Sequence, residues 1–189
     1  MSHQRFSLCV YCGSRDGLNP AYRAAAANLG QAIAKNDWRL VFGAGDVGLM
    51  GAVATAAQAG GAETLGVIPT HLMSREIKQT ARTTSIITET MHERKKVMFM
   101  NADAVVVLPG GAGSLDEFFE VLTWRQLGLH AKPLFLLDIA GYWAPLIHLL
   151  DHVVAQGFAE ATILDYARVV PTVAALEEAL RPDQIACPE

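Results

Sequence analysis

The chain has 189 residues, 51% hydrophobic and 7% aromatic, with a formal net charge of -4 and a pI near 5.8. That balance excludes a general surface for nucleic acid or anionic membrane, and the composition excludes a disordered or fibrous chain. The opening residues MSHQRFSLCVYCGS lack the apolar core of a secretion signal, no apolar run reaches the ~18 residues that cross a bilayer, and sparse cysteine usage fits a reducing cytoplasm, the expected location.

Short apolar runs alternate with longer amphipathic or Ala-rich stretches. In chain order the pattern predicts a strand at 6–12, a helix at 22–35, a strand at 39–42 and a helix at 49–59. A strand at 64–68 leads into the polar stretch PTHLMSREIKQTAR, 69–82, which breaks the rhythm and reads as a loop or a lid. A strand at 84–88, a helix at 91–101, a strand at 104–108 and a helix at 115–127 follow. The last elements are a strand at 133–137, a helix at 142–156, a short strand at 168–170 and a helix at 173–180.

Most strand runs are apolar throughout, as when both faces of a sheet are covered. Strand, crossover helix and strand in repetition predict an α/β fold, a Rossmann-like doubly wound parallel sheet with helices on both faces. With no linker or repeat, residues 1–189 are expected to form a single nucleotide-binding domain. Ligands of such sheets bind beyond the carboxyl ends of the strands. Those ends read Cys12-Gly13-Ser14, Gly43-Ala44-Gly45, Pro69-Thr70, Glu89 and Pro109-Gly110-Gly111.

Cys9 and Cys12 have the spacing of a redox or zinc pair, but strand residues three apart point to opposite faces. Gly43 to Gly48 spell G-x-G-x-x-G between a strand and a helix. The next strand lacks a terminal acid to hold a ribose, so dinucleotide binding is disfavoured; a structural turn and a mononucleotide contact stay open. In LPGGAGSLDE, 108–117, the glycines free backbone N–H groups for a phosphate at a helix start. Ser114-Leu115-Asp116-Glu117 is also an S-x-x-E capping box, so Glu117 is either a cap or chemistry. Arg94 falls on the apolar stripe of its helix, as a phosphate or carboxylate clamp or as a core-edge arginine; His92 and Lys96 fall on the solvent face. No complete metal-ligand set is present in the sequence: Cys9 and Cys12 have no second Cys/His pair at finger spacing, and His148 and His152, four apart, lack a third ligand.

Together these segments resemble the LOG ("Lonely guy") family of cytokinin riboside 5′-monophosphate phosphoribohydrolases. The family signature P-G-G-x-G-T-x-x-E is matched by Pro109 to Glu117, PGGAGSLDE. Val10 to Ser14 match V-x-C-G-S, Gly43 to Gly51 match G-G-G-x-x-G-L-M-G, and Met91 to Lys95 match M-H-x-R-K. Arg75-Glu76-Ile77, Thr123 to Gly128 and Gly141 to Leu146 match R-E-I, T-W-x-Q-L-G and G-Y-[WY]-x-P/S-L. Ser114 stands for a Thr, Ala44 for a Gly and Asp116 for a Glu; Ala44 is the departure expected to narrow the approach to its loop.

The resemblance implies hydrolysis of the N-glycosidic bond of a nucleoside 5′-monophosphate to free base and ribose 5-phosphate, with no cofactor. Arg94 and Glu117 would be the catalytic pair, Glu117 stabilising an oxocarbenium or activating water. Substrate contacts would come from Ser14, Gly45, Glu76, Lys95, Gly110, Gly111, Ala112, Gly113, Ser114, Leu115, Asp116 and Thr123. A homodimer is also implied, with the 91–101 helix, Met98-Phe99-Met100 included, as its contact. Two other activities share this framework: release of adenine from plain AMP, and molybdenum-cofactor carriage without turnover. The lysine decarboxylase label given to some relatives calls for a pyridoxal-phosphate lysine, and none of the five lysines has that setting.

Overall fold

The computed structural model describes residues 5–73 and 83–181. Seven strands form one sheet: β1 Ser7–Tyr11, β2 Arg39–Phe42, β3 Thr64–Pro69, β4 Thr83–Thr88, β5 Ala104–Val107, β6 Leu134–Leu137 and β7 Arg168–Val170. The order is β4-β3-β2-β1-β5-β6-β7 and every pairing is parallel. The described helices are α1 Pro20–Lys35, α2 Gly48–Ala59, α3 Met91–Met100, α4 Ala112–Gln126, α5 Ala144–Ala155 and α6 Val173–Ala179. From β1 the chain runs outward through β2, β3 and β4, returns to set β5 on the other side of β1, and runs outward again through β6 and β7, so the strand order reverses at the β1–β5 pair.

Alternation along each strand divides the core in two. Leu8, Val10, Leu40, Phe42, Val106 and Leu137 face α1, α2 and α6. Cys9, Tyr11, Val41, Val67, Val105 and Val107 face α3, α4 and α5. The α1–α2 layer is built from small residues, Ala26, Ala54 and Ala57 among them, so these helices pack close together. The opposite layer uses larger anchors. Phe118, Val121 and Leu122 of α4 are almost fully buried, each worth about 1.5–3 kcal/mol of burial, and they fix the axis of α4 over β1 and β5.

The predicted fold class is the observed one, and most element ends fall within one or two residues of the pattern. The start of α4 is the larger departure. It begins at Ala112 with Gly111 as its N-cap, not at Leu115. The N-cap pattern expected at Ser114 occurs instead at α3, where the Thr90 hydroxyl accepts from the Glu93 N–H and Glu93 accepts from the Thr90 N–H. In the expected interface segment, Met98 is core and Phe99 stacks on Trp124 and His130; Met100 alone of the three is exposed. The stretch 69–82 is described only to residue 73, with a short 3-10 turn at Thr70–Leu72.

Candidate active site

A cavity of about 490 Å³ opens at the carboxyl ends of β1 and β5, where the strand order reverses. Size and position suit a small phosphorylated ligand. Its floor is made by the turns after these strands. The Gly13 N–H donates to the Pro109 carbonyl, and the Leu49 and Met50 N–H groups donate to the Gly13 carbonyl. These bonds tie the β1 turn, the β5 turn and the start of α2 into one unit.

The β5 turn needs its glycine at 110, since a Cβ there would overlap the Ser114 hydroxyl and crowd the Gly13 N–H. Ser114 itself is buried. Around Gly111 and Gly113 the space is open, and α4 has no side-chain cap. Among the described residues the N–H groups of Ala112, Gly113 and Ser114 have no partner. A row of free donors at the positive end of a helix dipole is an anion site. Tyr142 steadies it, donating its hydroxyl hydrogen to the Gly110 carbonyl at 2.5 Å and packing edge-on against Tyr22.

Glu117 lies further along α4, past the first turn, and lines the same cavity. Among the described residues its carboxylate has no hydrogen bond or ion pair, so it is not a cap. Burial over β1 pushes its pKa up to about 7, with Arg94 pulling down and Asp116 pushing up. Perturbation of this kind, in a concave site beside a cation, marks functional carboxylates.

Arg94 is buried, and its guanidinium spans two strand ends. Nε donates to the Val67 carbonyl at 3.1 Å and Nη2 to the Gly43 carbonyl. Glycine at 43 makes this possible, because a Cβ would occupy the guanidinium's place. The first glycine of G-x-G-x-x-G therefore leaves its Cβ space to an arginine. Gly48, at φ +61°, closes the same turn against the backbone of Ser14 and Arg15. Ala44 has a left-handed φ of 62°, and its methyl sits over Gly66 of β3. It does not line the cavity, so the expected narrowing is not found.

The other anticipated residues divide. Ser14, Gly110, Gly111, Ala112, Gly113, Ser114 and Asp116 line the cavity with Arg94 and Glu117. Gly45, Lys95, Leu115 and Thr123 do not. Gly45 is buried with its N–H on the Met50 sulfur, and Leu115 packs toward the core. Thr123 is exposed and lies six residues beyond Glu117, roughly 9 Å further along the helix. Lys95 is a strut: buried, it binds Asp116 at 2.9 Å and Glu120 at 3.2 Å, joining α3 to the face of α4 beside Glu117. Burial works against its charge, but the two carboxylates outweigh that and hold the ammonium above its usual range. Glu76 lies outside the described residues.

Further lining residues were not anticipated: Arg15, Asp16 and Gly17 in the turn after β1, Tyr22, Leu49, Met50, Met91 and Tyr142. Leu49, Met50, Met91 and Tyr142 lay inside matched motifs, which was the available signal. Among the described residues no cluster of His, Cys, Asp or Glu is arranged to hold a metal ion. Burial raises the pKa of both Cys9 and Cys12, which keeps the thiols protonated, and they pack on opposite faces of the sheet. The lysines of the described residues do not line the cavity. Lys132, for instance, is committed to the Phe99 and Ala102 carbonyls. A pyridoxal-phosphate site does not fit this donor set.

Comparison with known proteins gives a consistent picture. A family model described as "Possible lysine decarboxylase" matches residues 50–180. A probable cytokinin riboside 5′-monophosphate phosphoribohydrolase of Oryza sativa subsp. japonica, LOGL9, is 47% identical over 153 residues, 80% of this chain and 66% of that protein. The chain thus spans about two thirds of that relative's length. The Arabidopsis thaliana cytokinin riboside 5′-monophosphate phosphoribohydrolase LOG7 is 46% identical over 152 residues, 80% of this chain and 70% of that one. Among solved structures, the molybdenum cofactor binding protein from Rippkaea orientalis superposes with a TM-score of 0.71 at 20% identity, over 95% of this chain and 97% of that one. That likeness is one of fold, whereas the identities above 40% cover four fifths of the chain, and on them the chain belongs to the LOG family.

Proposed function

We propose that this protein hydrolyses the N-glycosidic bond of cytokinin nucleoside 5′-monophosphates, releasing free base and ribose 5-phosphate. The observation that carries the reading is the pairing, in one cavity, of free helix N–H groups with an unpartnered, half-buried carboxylate one turn further on. From Ser114 to Glu117 the helix rises about 4.5 Å. A phosphate on the N–H row therefore leaves the sugar beside Glu117. Relatives sharing more than 40% identity carry this activity in their names.

In the reaction the C1′–N bond breaks, its electron pair leaves with the base, and positive charge builds on the ribose. Glu117 as carboxylate stabilises that charge and takes a proton from the water that adds to C1′; the proton then passes through solvent to the departed base, which leaves the base neutral and restores the carboxylate. Arg94 lies close enough to favour the ionised form of Glu117. Held by the Gly43 and Val67 carbonyls, it presents fixed positive charge toward the departing base without reorganising. Binding at the phosphate end positions C1′ at the other end, so remote binding energy is used for orientation. Tyr22, Leu49, Met50 and Met91 supply the apolar wall that suits a purine and its substituent.

Incubation with isopentenyl-AMP and with AMP, followed by detection of free base, tests this directly. Release from isopentenyl-AMP at a kcat/KM above that for AMP is expected. The reverse preference reassigns the protein to plain AMP, and tight binding without release from either reassigns it to a carrier. The homodimer belongs to the same proposal, supported by exposed Met91, Met100 and Ile87 on neighbouring α3 and β4. Light scattering reads it: a mass near 40 kDa is expected, twice the 20.3 kDa of the chain, and a mass near that of one chain sinks it.

A further inference from the structure

We propose that Arg15, in the turn after β1, is a specificity-determining residue that reads the charge of the substrate's 5′-phosphate. The inference rests on the hydrolase reading of the cavity and assigns it a residue outside the family signature. Arg15 lines the cavity and is exposed, and among the described residues its guanidinium has no hydrogen bond and no ion pair.

The charge inventory of the cavity makes that unusual. Asp16 is bound by Arg23 at 2.6 Å, and Asp116 by Lys95 at 2.9 Å. Arg94 is anchored on the carbonyls of Gly43 and Val67, beside Glu117. Arg15 is left as the cation of the wall with its donors unspent. A planar guanidinium with free donors is suited to a phosphate.

Its placement is also built rather than incidental. The backbone of Ser14 and Arg15 packs on Gly48 so closely that no Cβ fits there, and the Arg15 carbonyl lies over Gly13. Gly13 is bonded to Pro109, the first residue of the turn that carries the open N–H row of α4. The Asp16–Arg23 pair then ties the following residue to α1. Arg15 is thereby held next to the phosphate end of the cavity, while Arg94 serves the end where the glycosidic bond breaks. A doubly charged phosphate meets backbone donors from one side and a mobile guanidinium from the other.

Wild type, Arg15→Ala, Arg15→Lys and Arg15→Glu are compared by calorimetry with AMP and ribose 5-phosphate, and by steady-state kinetics. Arg15→Ala is expected to raise the Kd for both phosphorylated ligands about 10- to 100-fold, the range for one hydrogen bond to a charged group. KM rises in step and kcat changes far less. Arg15→Lys recovers most of the loss, and Arg15→Glu exceeds it. Unchanged melting temperatures show that folding is not the cause, since Arg15 has no partner to lose. An unaltered Kd in Arg15→Ala overturns the proposal, as does a loss carried by kcat alone. If the wild type binds AMP and ribose 5-phosphate yet releases no base, the reaction fails while the Arg15 measurement still stands.

Discussion

Glu117→Gln is expected to lower base release by about 10²- to 10⁴-fold, the span of a lost general acid–base group, without destabilising the protein at neutral pH. Both halves come from the same fact. The carboxylate is half-buried over β1 with no hydrogen bond of its own, so its charge is held at a cost. Desolvation pushes its pKa in the folded protein up to about 7, from the ordinary 4.5. A raised pKa means that the folded state binds the proton more tightly than the unfolded chain does. The carboxyl's stabilising contribution is fully present below pH 4.5 and is lost as pH rises through 7. Glutamine keeps the shape, lacks the charge and removes that penalty, a gain on the order of 2 kcal/mol at pH 8.

Thermal melts of both proteins at pH 4 and pH 8 give the sign: nearly equal at the lower pH, the variant higher at the upper one. If Glu117→Gln instead melts lower at pH 8 and still turns over, Glu117 is structural and the mechanism fails. The same ionisation sets the rate. With the carboxylate as the active form, kcat/KM rises with pH through about 7 and levels above it. A profile flat from pH 5 to pH 9 removes Glu117 from the rate-limiting chemistry.

The sheet was legible because buried parallel strands are apolar on both faces, and Val105–Val107 or Leu134–Leu137 admit few other readings. The start of α4 was not. Gly110, Gly111 and Gly113 around Ala112 weaken the helical signal, and Ser114-x-x-Glu117 imitates a cap, so local signals place the start three residues late. Tertiary packing decides otherwise, because Ser114 tucks beneath Gly110 and Phe118 anchors the turn that follows. Lys95, expected at the substrate, lies against α4 for a related reason. One residue turns a helix by about 100°, which directs Arg94 to the strand ends and Lys95 to α4. Its partners Asp116 and Glu120 lie more than twenty residues away, where spacing carries no signal. Arg15 sits in a turn, which has no periodicity at all; only the folded cavity reveals that it lines the wall without a partner.

Arg94→Met is expected to affect stability and chemistry together, and in ways that can be separated. Removing the guanidinium leaves the Gly43 and Val67 carbonyls without the donors they now have. Each buried acceptor left unpaired costs about 1–3 kcal/mol, so a loss near 2–4 kcal/mol is expected. In a chain of this size that lowers the melting temperature by several degrees. A purely structural arginine would do no more. Arg94, however, also pulls down the pKa of Glu117, and its removal must raise that pKa beyond about 7. The rising limb of the kcat/KM profile therefore moves to higher pH, by an amount set by the lost attraction. Arg94→Lys separates the effects, since lysine restores a positive charge but cannot span both carbonyls. It should return the limb toward its original position while recovering only part of the stability. The kcat on the plateau should fall by about 10²-fold or more in Arg94→Met, as for a lost electrostatic contact in the transition state. Loss of stability with an unmoved limb and an unchanged plateau would make Arg94 a brace between β2 and β3, with Glu117 acting alone.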